Sequence, residues 1–233
     1  AQGVEPYDEL KTVIQLGCDL IQGYYVSKPK PIMLLNTSER IVREITEINL
    51  DNPGGVSVVY TPEEGENVDL CRIATDGYNS VMIDKENVSL IGRPNVSLDM
   101  GIRVKSGVRT VISLENVFIK NAKDTPVIDL GDGCEVDLLI KGVNVLDGKG
   151  IYVPQKTDLH IRGGGELTVI ANRENCFAIG TDIENNPGNI FVEFGGKLFI
   201  EANGDNSVGI GGGKNHAANV IRITGGELGV KCS

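Results

Sequence analysis

The chain has 233 residues, 40% of them hydrophobic and 23% charged, and a net charge of −10, which is enough chain for one or two domains with a real core. The acidic balance excludes nucleic-acid backbones and anionic lipid as main partners, because both need a cationic face, and no apolar run is long enough for a membrane-spanning helix. Cys18, Cys71, Cys134, Cys176 and Cys232 are odd in number and widely spread, with no CxxC pair. They read as buried free thiols of a reducing compartment, so a cytoplasmic chain without a signal peptide is expected. His160 and His216 are the only histidines, too few for a multi-histidine metal centre, and no cofactor is expected.

The first 50 residues read as helix, strand, helix. Pro6 suits a first helical turn, and Leu10, Val13 and Ile14 follow at helical spacing. Gly17 stands where a C-terminal cap belongs. Leu20 to Val26 is apolar and aromatic enough for a strand, and the prolines after Ser27 make a loop. Asn36 and Glu39 form a capping box for a second helix whose apolar face is Ile41, Val42, Ile45 and Ile48. Asp51-Asn52-Pro53-Gly54-Gly55 breaks the chain, so one domain covers 1–50 and another 56–233.

The second part carries an internal repeat. Val88, Val117, Val143, Leu167, Leu198 and Leu228 each have an aliphatic residue two positions later and another five or six positions earlier, and successive anchors lie 29, 26, 24, 31 and 30 residues apart. In the later copies a glycine pair precedes the anchor: Gly164-Gly165, Gly195-Gly196 and Gly225-Gly226. Each copy reads as two short strands at a bend, with a third apolar strand in the spacer, such as Val127 to Leu130 or Phe177 to Ile179. One copy cannot bury its own apolar side, whereas stacked copies can. No helical pattern intervenes. The fold expected is mainly β: a single-stranded parallel β-helix of about six coils behind a short α/β segment. Asn121, Asn172 and Asn203 follow the second strand at nearly one offset and are candidates for an asparagine ladder.

Gly3-Val4-Glu5, Leu16-Gly17-Cys18-Asp19, Gln22-Gly23-Tyr24-Tyr25 and Ser27-Lys28-Pro29 occur in this order within residues 1–31. This stretch resembles the C-terminal end of an EAL domain, the bacterial cyclic-di-GMP phosphodiesterase family with a TIM-barrel-like fold; to about residue 48 the last barrel helix fits by position. The resemblance implies a metal site of carboxylates and an Asn on earlier strands. The Glu-Ala-Leu signature and those ligands are not in this chain. Gln2 stands where the family has an acidic residue, and an amide cannot serve as a carboxylate base. Gln2, Glu5 and Gln22 are therefore read as structural remnants, and the chain as the non-catalytic C-terminal part of a cyclic-di-GMP signalling protein whose parent is a degenerate phosphodiesterase.

The phrases GIGGG at 209–213 and IRITGGELGV at 221–230 resemble glycine-rich β-helix modules of large bacterial proteins, some of them carbohydrate-binding or adhesive. The resemblance implies a ligand-binding or interaction module, with polysaccharide as the ligand class. The alternative is a polysaccharide lyase or hydrolase acting on acidic sugars. Arg103-Val104-Lys105 matches one short motif of such enzymes, while their paired carboxylates are not found. Asp129, Asp132, Glu135 and Asp137 are the one dense acidic group, with a spacing that could hold calcium, although turn formation and outward strand charges explain it as well. His160, between Leu159 and Ile161, is expected to face outward, and Gly211 to Lys214 reads as a coil corner rather than a phosphate loop. The edge of the last coil, with Ile221, Ile223, Leu228 and Val230 inside it, is expected to support an end-to-end homodimer.

Overall fold

The structure, a computed structural model, describes residues 2–15, 21–28, 38, 40–41, 43–45, 58–121, 125–171, 173–181, 185–212 and 220–232. Contacts divide the chain into two compact units, Ala1–Val58 and Val59–Ser233.

In the first unit helix α1 spans Tyr7–Gln15. Asp8 and Glu9 sit in its first turn, where the helix dipole favours negative charge. Its apolar stripe works as the spacing predicts: Leu10 is buried with Val4, and Val13, Ile14, Ile21 and Tyr25 pack against them. The strand expected over Leu20 to Val26 does not form in the described part. Gln22 makes only an isolated parallel bridge to Gln2, Val4 N–H donates to Gln22 C=O and Tyr25 N–H to Val4 C=O. The chain then turns, with Val26 and Ser27 N–H both donating to Gly23 C=O. Gly23 is needed for this approach, since a Cβ there would lie 2.0 Å from the Val4 carbonyl oxygen. Residues 40, 41 and 43–45 are helical, and Ile41 is fully buried. Gly17, Asn36, Glu39, Val42, Ile48 and the Asp51 to Gly55 breaker lie outside the described residues.

The second unit is mainly β and contains three sheets in which every strand pairing is parallel. Sheet I holds β1 (Val59–Tyr60), β3 (Ser80–Ile83), β5 (Gly101–Val104), β8 (Ile128–Leu130), β11 (Ile151–Tyr152), β14 (Phe177–Gly180) and β17 (Val208–Gly211). Sheet II holds β2 (Asn67–Asp69), β4 (Asn87–Ile91), β6 (Arg109–Glu115), β9 (Glu135–Lys141), β12 (Asp158–Gly163), β15 (Asn189–Phe194) and β18 (Ile221–Thr224). Sheet III holds β7 (Phe118–Lys120), β10 (Val143–Asp147), β13 (Glu166–Ile170), β16 (Lys197–Ala202) and β19 (Glu227–Cys232). From β5 onward the chain visits the sheets in rotation, and each strand pairs with its counterpart in the neighbouring round, on both sides except at the sheet edges β7, β17, β18 and β19. The spacer strands expected around Val127 and Phe177 are members of sheet I.

Register explains the core. Val88, Ile112, Leu138, Ile161 and Val192 stand side by side in sheet II, and Ile102, Ile128, Ile151 and Ile179 in sheet I, all buried. Alternation puts these residues on one face of each strand and polar ones on the other. Burying such a side chain contributes about 1.5–3 kcal/mol, so the rows supply most of the drive to fold. They form one continuous cluster from Val68 to Ile200.

Three details differ from the pattern read in the sequence. Val88 belongs to the Ile112 row and not to that of Val117, so the first copy is displaced by one strand. In β10 the inner positions are Asn144 and Leu146, not Val143 and Val145; Asn144 pairs with Leu167, Leu146 with Val169, and Val143 is 43% exposed. A short helix α2, Leu70–Thr75, interrupts the early strands. Asp69 caps it by accepting from Arg72 N–H at 3.0 Å, and Leu70 and Ile73 join the core. Two sheets have seven strands and the third five, against about six repeats read from the spacing.

No helix among the described residues is long and apolar enough to cross a membrane.

Candidate functional site

The corner between sheets II and III is built from glycine. The turn between β6 and β7 uses Asn116 at φ +53°, and its Oδ1 accepts from Val143 N–H at 3.2 Å. In the next rounds glycines take the corner: Gly142 at φ +62°, then Gly164-Gly165, Gly195-Gly196 and Gly225-Gly226. Contact between rounds demands this. A Cβ on Gly165 would lie 2.6 Å from the Gly142 carbonyl oxygen, and one on Gly196 only 1.9 Å from that of Gly165. A Cβ on Gly164, by contrast, would meet nothing within 4 Å. The missing side chains leave an open trough lined by all of these glycines but Gly225, with Val143, Lys141, Glu166, Lys197 and Glu227. At the usual strand spacing it runs about 14 Å across four rounds. Its sheet III rim alternates in sign, because Glu166, Lys197 and Glu227 occupy one register position on successive strands, and Lys197 Nζ lies 3.9 Å from Glu227 Oε2.

The outer face of sheet II carries the densest polar group. Arg162 on β12 bridges its neighbours: Nη1 lies 2.9 Å from Asp137 Oδ1 on β9, and Nη2 2.9 Å from Glu193 Oε2 on β15. The guanidinium hydrogen bond holds Glu193 below the usual carboxylate range. His160 does face outward, yet its ring is largely covered: it stacks on Phe191 with centroids 4.5 Å apart, and the Arg222 guanidinium lies 5.8 Å from the other ring of that row, Phe191. Arg162 Nη2 is 3.3 Å from His160 Nδ1. The same Nδ1 lies 3.6 Å from Glu193 Oε2.

The four acidic candidates are not brought together. Asp129 is on sheet I, in register with Arg103 and Tyr152. Burial pushes its carboxyl above the usual range, against the opposing effect of Arg103. Asp132 is exposed in the following turn. Glu135 and Asp137 are on sheet II and face two different arginines, Arg109 at 3.0 Å and Arg162 at 2.9 Å. Among the described residues no three His, Cys, Asp or Glu side chains are grouped to hold a metal. In the Arg103-Val104-Lys105 stretch Val104 points inward and is buried while Lys105 is exposed.

Asn121 Nδ2 donates to Thr125 and Pro126 within its own turn, and the expected asparagine ladder runs through Asn172, which is not among the described residues. Asn172, Lys214, His216 and Cys18 lie outside the described residues. A different asparagine pair stacks: Asn206 Nδ2 lies 3.3 Å from Asn175 Oδ1, both at positive φ. Cys134 and Cys176 are buried and Cys71 is half-buried.

In the first unit the bridge brings Gln2 beside Gln22, both exposed. Glu5 is exposed, and its backbone N–H donates to Glu9 Oε2 at 3.1 Å.

No family model, curated protein or solved structure matches the chain.

Proposed function

We propose that residues 59–233 form a parallel β-helix whose role is to bind, without chemistry, an elongated hydroxyl-rich ligand such as a polysaccharide, and that the chain is the C-terminal part of a bacterial cyclic-di-GMP signalling protein. The observation that carries the binding reading is the glycine trough across four rounds. A groove that crosses four rounds, with a charged side chain at one register position on three of them, suits an extended polymer. The alternation of Glu166, Lys197 and Glu227 offers acceptors and donors in turn. A uniform polyanion or polycation would meet a like charge at every second strand, whereas hydroxyls bond to both. The parallel pairing in three sheets, with the chain passing through them in rotation, supports the β-helix reading.

The signalling context rests on the EAL-like words of residues 3–29. On this reading the purified chain shows no metal-dependent turnover of cyclic-di-GMP, and detectable hydrolysis contradicts it. The binding reading is tested by affinity electrophoresis in gels carrying neutral or acidic polysaccharides. Retardation is expected in a neutral polysaccharide, and loss of retardation in Gly164→Trp, which fills the trough at a position with open space. Equal mobility in every gel, or retardation untouched by Gly164→Trp, overturns it.

One observation favours the second reading, a lyase or hydrolase on acidic sugars: Asp137, Arg162 and Glu193 lie on three adjacent strands of one face. Product release from polyuronate by the purified chain, lost in Arg162→Ala, would establish that reading.

A further inference from the structure

Each of the four rounds that meet at the trough supplies one charged side chain to its lining: Lys141, then Glu166, then Lys197, then Glu227. The signs alternate from round to round, and the rest of the lining is glycine with Ile140 and Val143. Lys141 is the last residue of β9, on the sheet II side, whereas Glu166, Lys197 and Glu227 are the first residues of β13, β16 and β19, on the sheet III side. The protein does little to neutralise these charges itself. Lys141 and Glu166 have no ion-pair partner among the described residues. Lys197 and Glu227 are 3.9 Å apart with both side chains more than half exposed, and a pair so exposed contributes little.

We propose that the polysaccharide held in the trough is zwitterionic, with amino sugars bearing free amines alternating with uronic acids along it. This rests on the reading of the trough as a polysaccharide site and adds the charge pattern of the ligand. Neighbouring rounds lie about 4.8 Å apart, so like charges of the lining recur about every 9.6 Å. Built from bonds of about 1.5 Å, a pyranose linked through opposite ring positions advances about 5 Å, which is one sugar per round. An amine on every second sugar then meets Glu166 and Glu227, and the carboxylates between them meet Lys141 and Lys197. A shift by one sugar sets like charges together at every round, so the pattern fixes the register of the ligand as well as its class. A polymer of single sign is matched at two rounds and opposed at the other two. An extended peptide presents side chains of one face about 6.8 Å apart and falls out of step with the rounds at once.

Titration calorimetry on the whole chain at low salt and slightly acidic pH tests it, with folding of each variant checked by circular dichroism. The probes are oligosaccharides of heparosan, in which glucuronate and N-acetylglucosamine alternate, and the same oligosaccharides after de-N-acetylation, which frees the amines. The de-N-acetylated form is expected to bind about tenfold tighter than its acetylated parent, with the gain lost at high salt. Lys197→Glu makes the lining acidic at three successive rounds, and an oligomer of glucosamine alone should then bind tighter than the zwitterion. Gly164→Trp abolishes binding of both heparosan forms. Equal affinity for the two forms, no binding of either, or a preference that survives Lys197→Glu overturns the charge pattern, as does equally tight binding of an alternating Lys-Glu peptide. Retardation by a neutral polysaccharide that is lost in Gly164→Trp would in each of those cases leave the trough standing as the binding site, whereas its absence removes both readings.

Discussion

Asn144 occupies a position where the repeat calls for an aliphatic residue, and it is fully buried. Its side chain replaces what it costs: Oδ1 accepts from Val117 N–H at 2.9 Å, and Nδ2 donates to Lys141 C=O at 2.9 Å and Glu166 C=O at 3.3 Å. It thereby ties together three successive rounds. Asn144→Ala strands the Val117 donor and opens a gap, and should cost about 1–3 kcal/mol, measured by urea denaturation. A change below the error of that measurement would mean that the network is redundant. Asp129 gives a pH signature. Its folded carboxyl binds a proton more readily than the unfolded one, chiefly because of burial. The folded chain then holds more protons, so this group's contribution is fully favourable below the unfolded range near about 3.9 and is lost as pH rises through the raised value. Asp129→Asn should therefore raise Tm near neutral pH and leave it unchanged near about pH 3. Equal gains at both would refute burial as the cause.

The corner glycines divide into two kinds at the scale of the element. Gly196 is there because the rounds touch; Gly196→Ala drives a methyl into the Gly165 carbonyl and should cost about 2–4 kcal/mol. Gly164 has open space, and Gly164→Ala should stay within about 0.5 kcal/mol. Thermal melts of the two variants decide; equal losses would show that the corner's flexibility, not its close approach, is what glycine supplies. The strands were legible in the sequence because aliphatic alternation has a period that burial enforces, as in Ile112, Leu138, Ile161 and Val192. Legibility failed where a polar residue took an inner position and satisfied itself: Asn144 displaced the apparent anchor by one. It failed again at α2, where Asp69, Leu70 and Ile73 formed a capped turn too short for periodicity to register. The glycine pairs stood out in the sequence, but as bends. That they leave a trough depends on adjacent rounds aligning their corners, which one copy does not reveal. The acidic quartet read as one group because it is close along the chain, and the strand change between Asp129 and Glu135 separated it.

The whole second unit draws its stability from contacts between neighbouring rounds, with one continuous core. Residues 59–233 expressed alone should retain the strand content of the full chain and melt within a few degrees of it, because the rows of that core lie within this unit. A large drop in either would show that the first unit is needed for the second to fold. The most direct test of the account is amide chemical-shift mapping of the chain with a neutral oligosaccharide cut from the polymer that retards it. The trough predicts shifts at Gly142, Gly164, Gly165, Gly195, Gly196 and Gly226, with sheet I unmoved. Shifts centred on Arg103, Asp129 and Tyr152, or on Arg162 and Glu193 without the glycines, would contradict it.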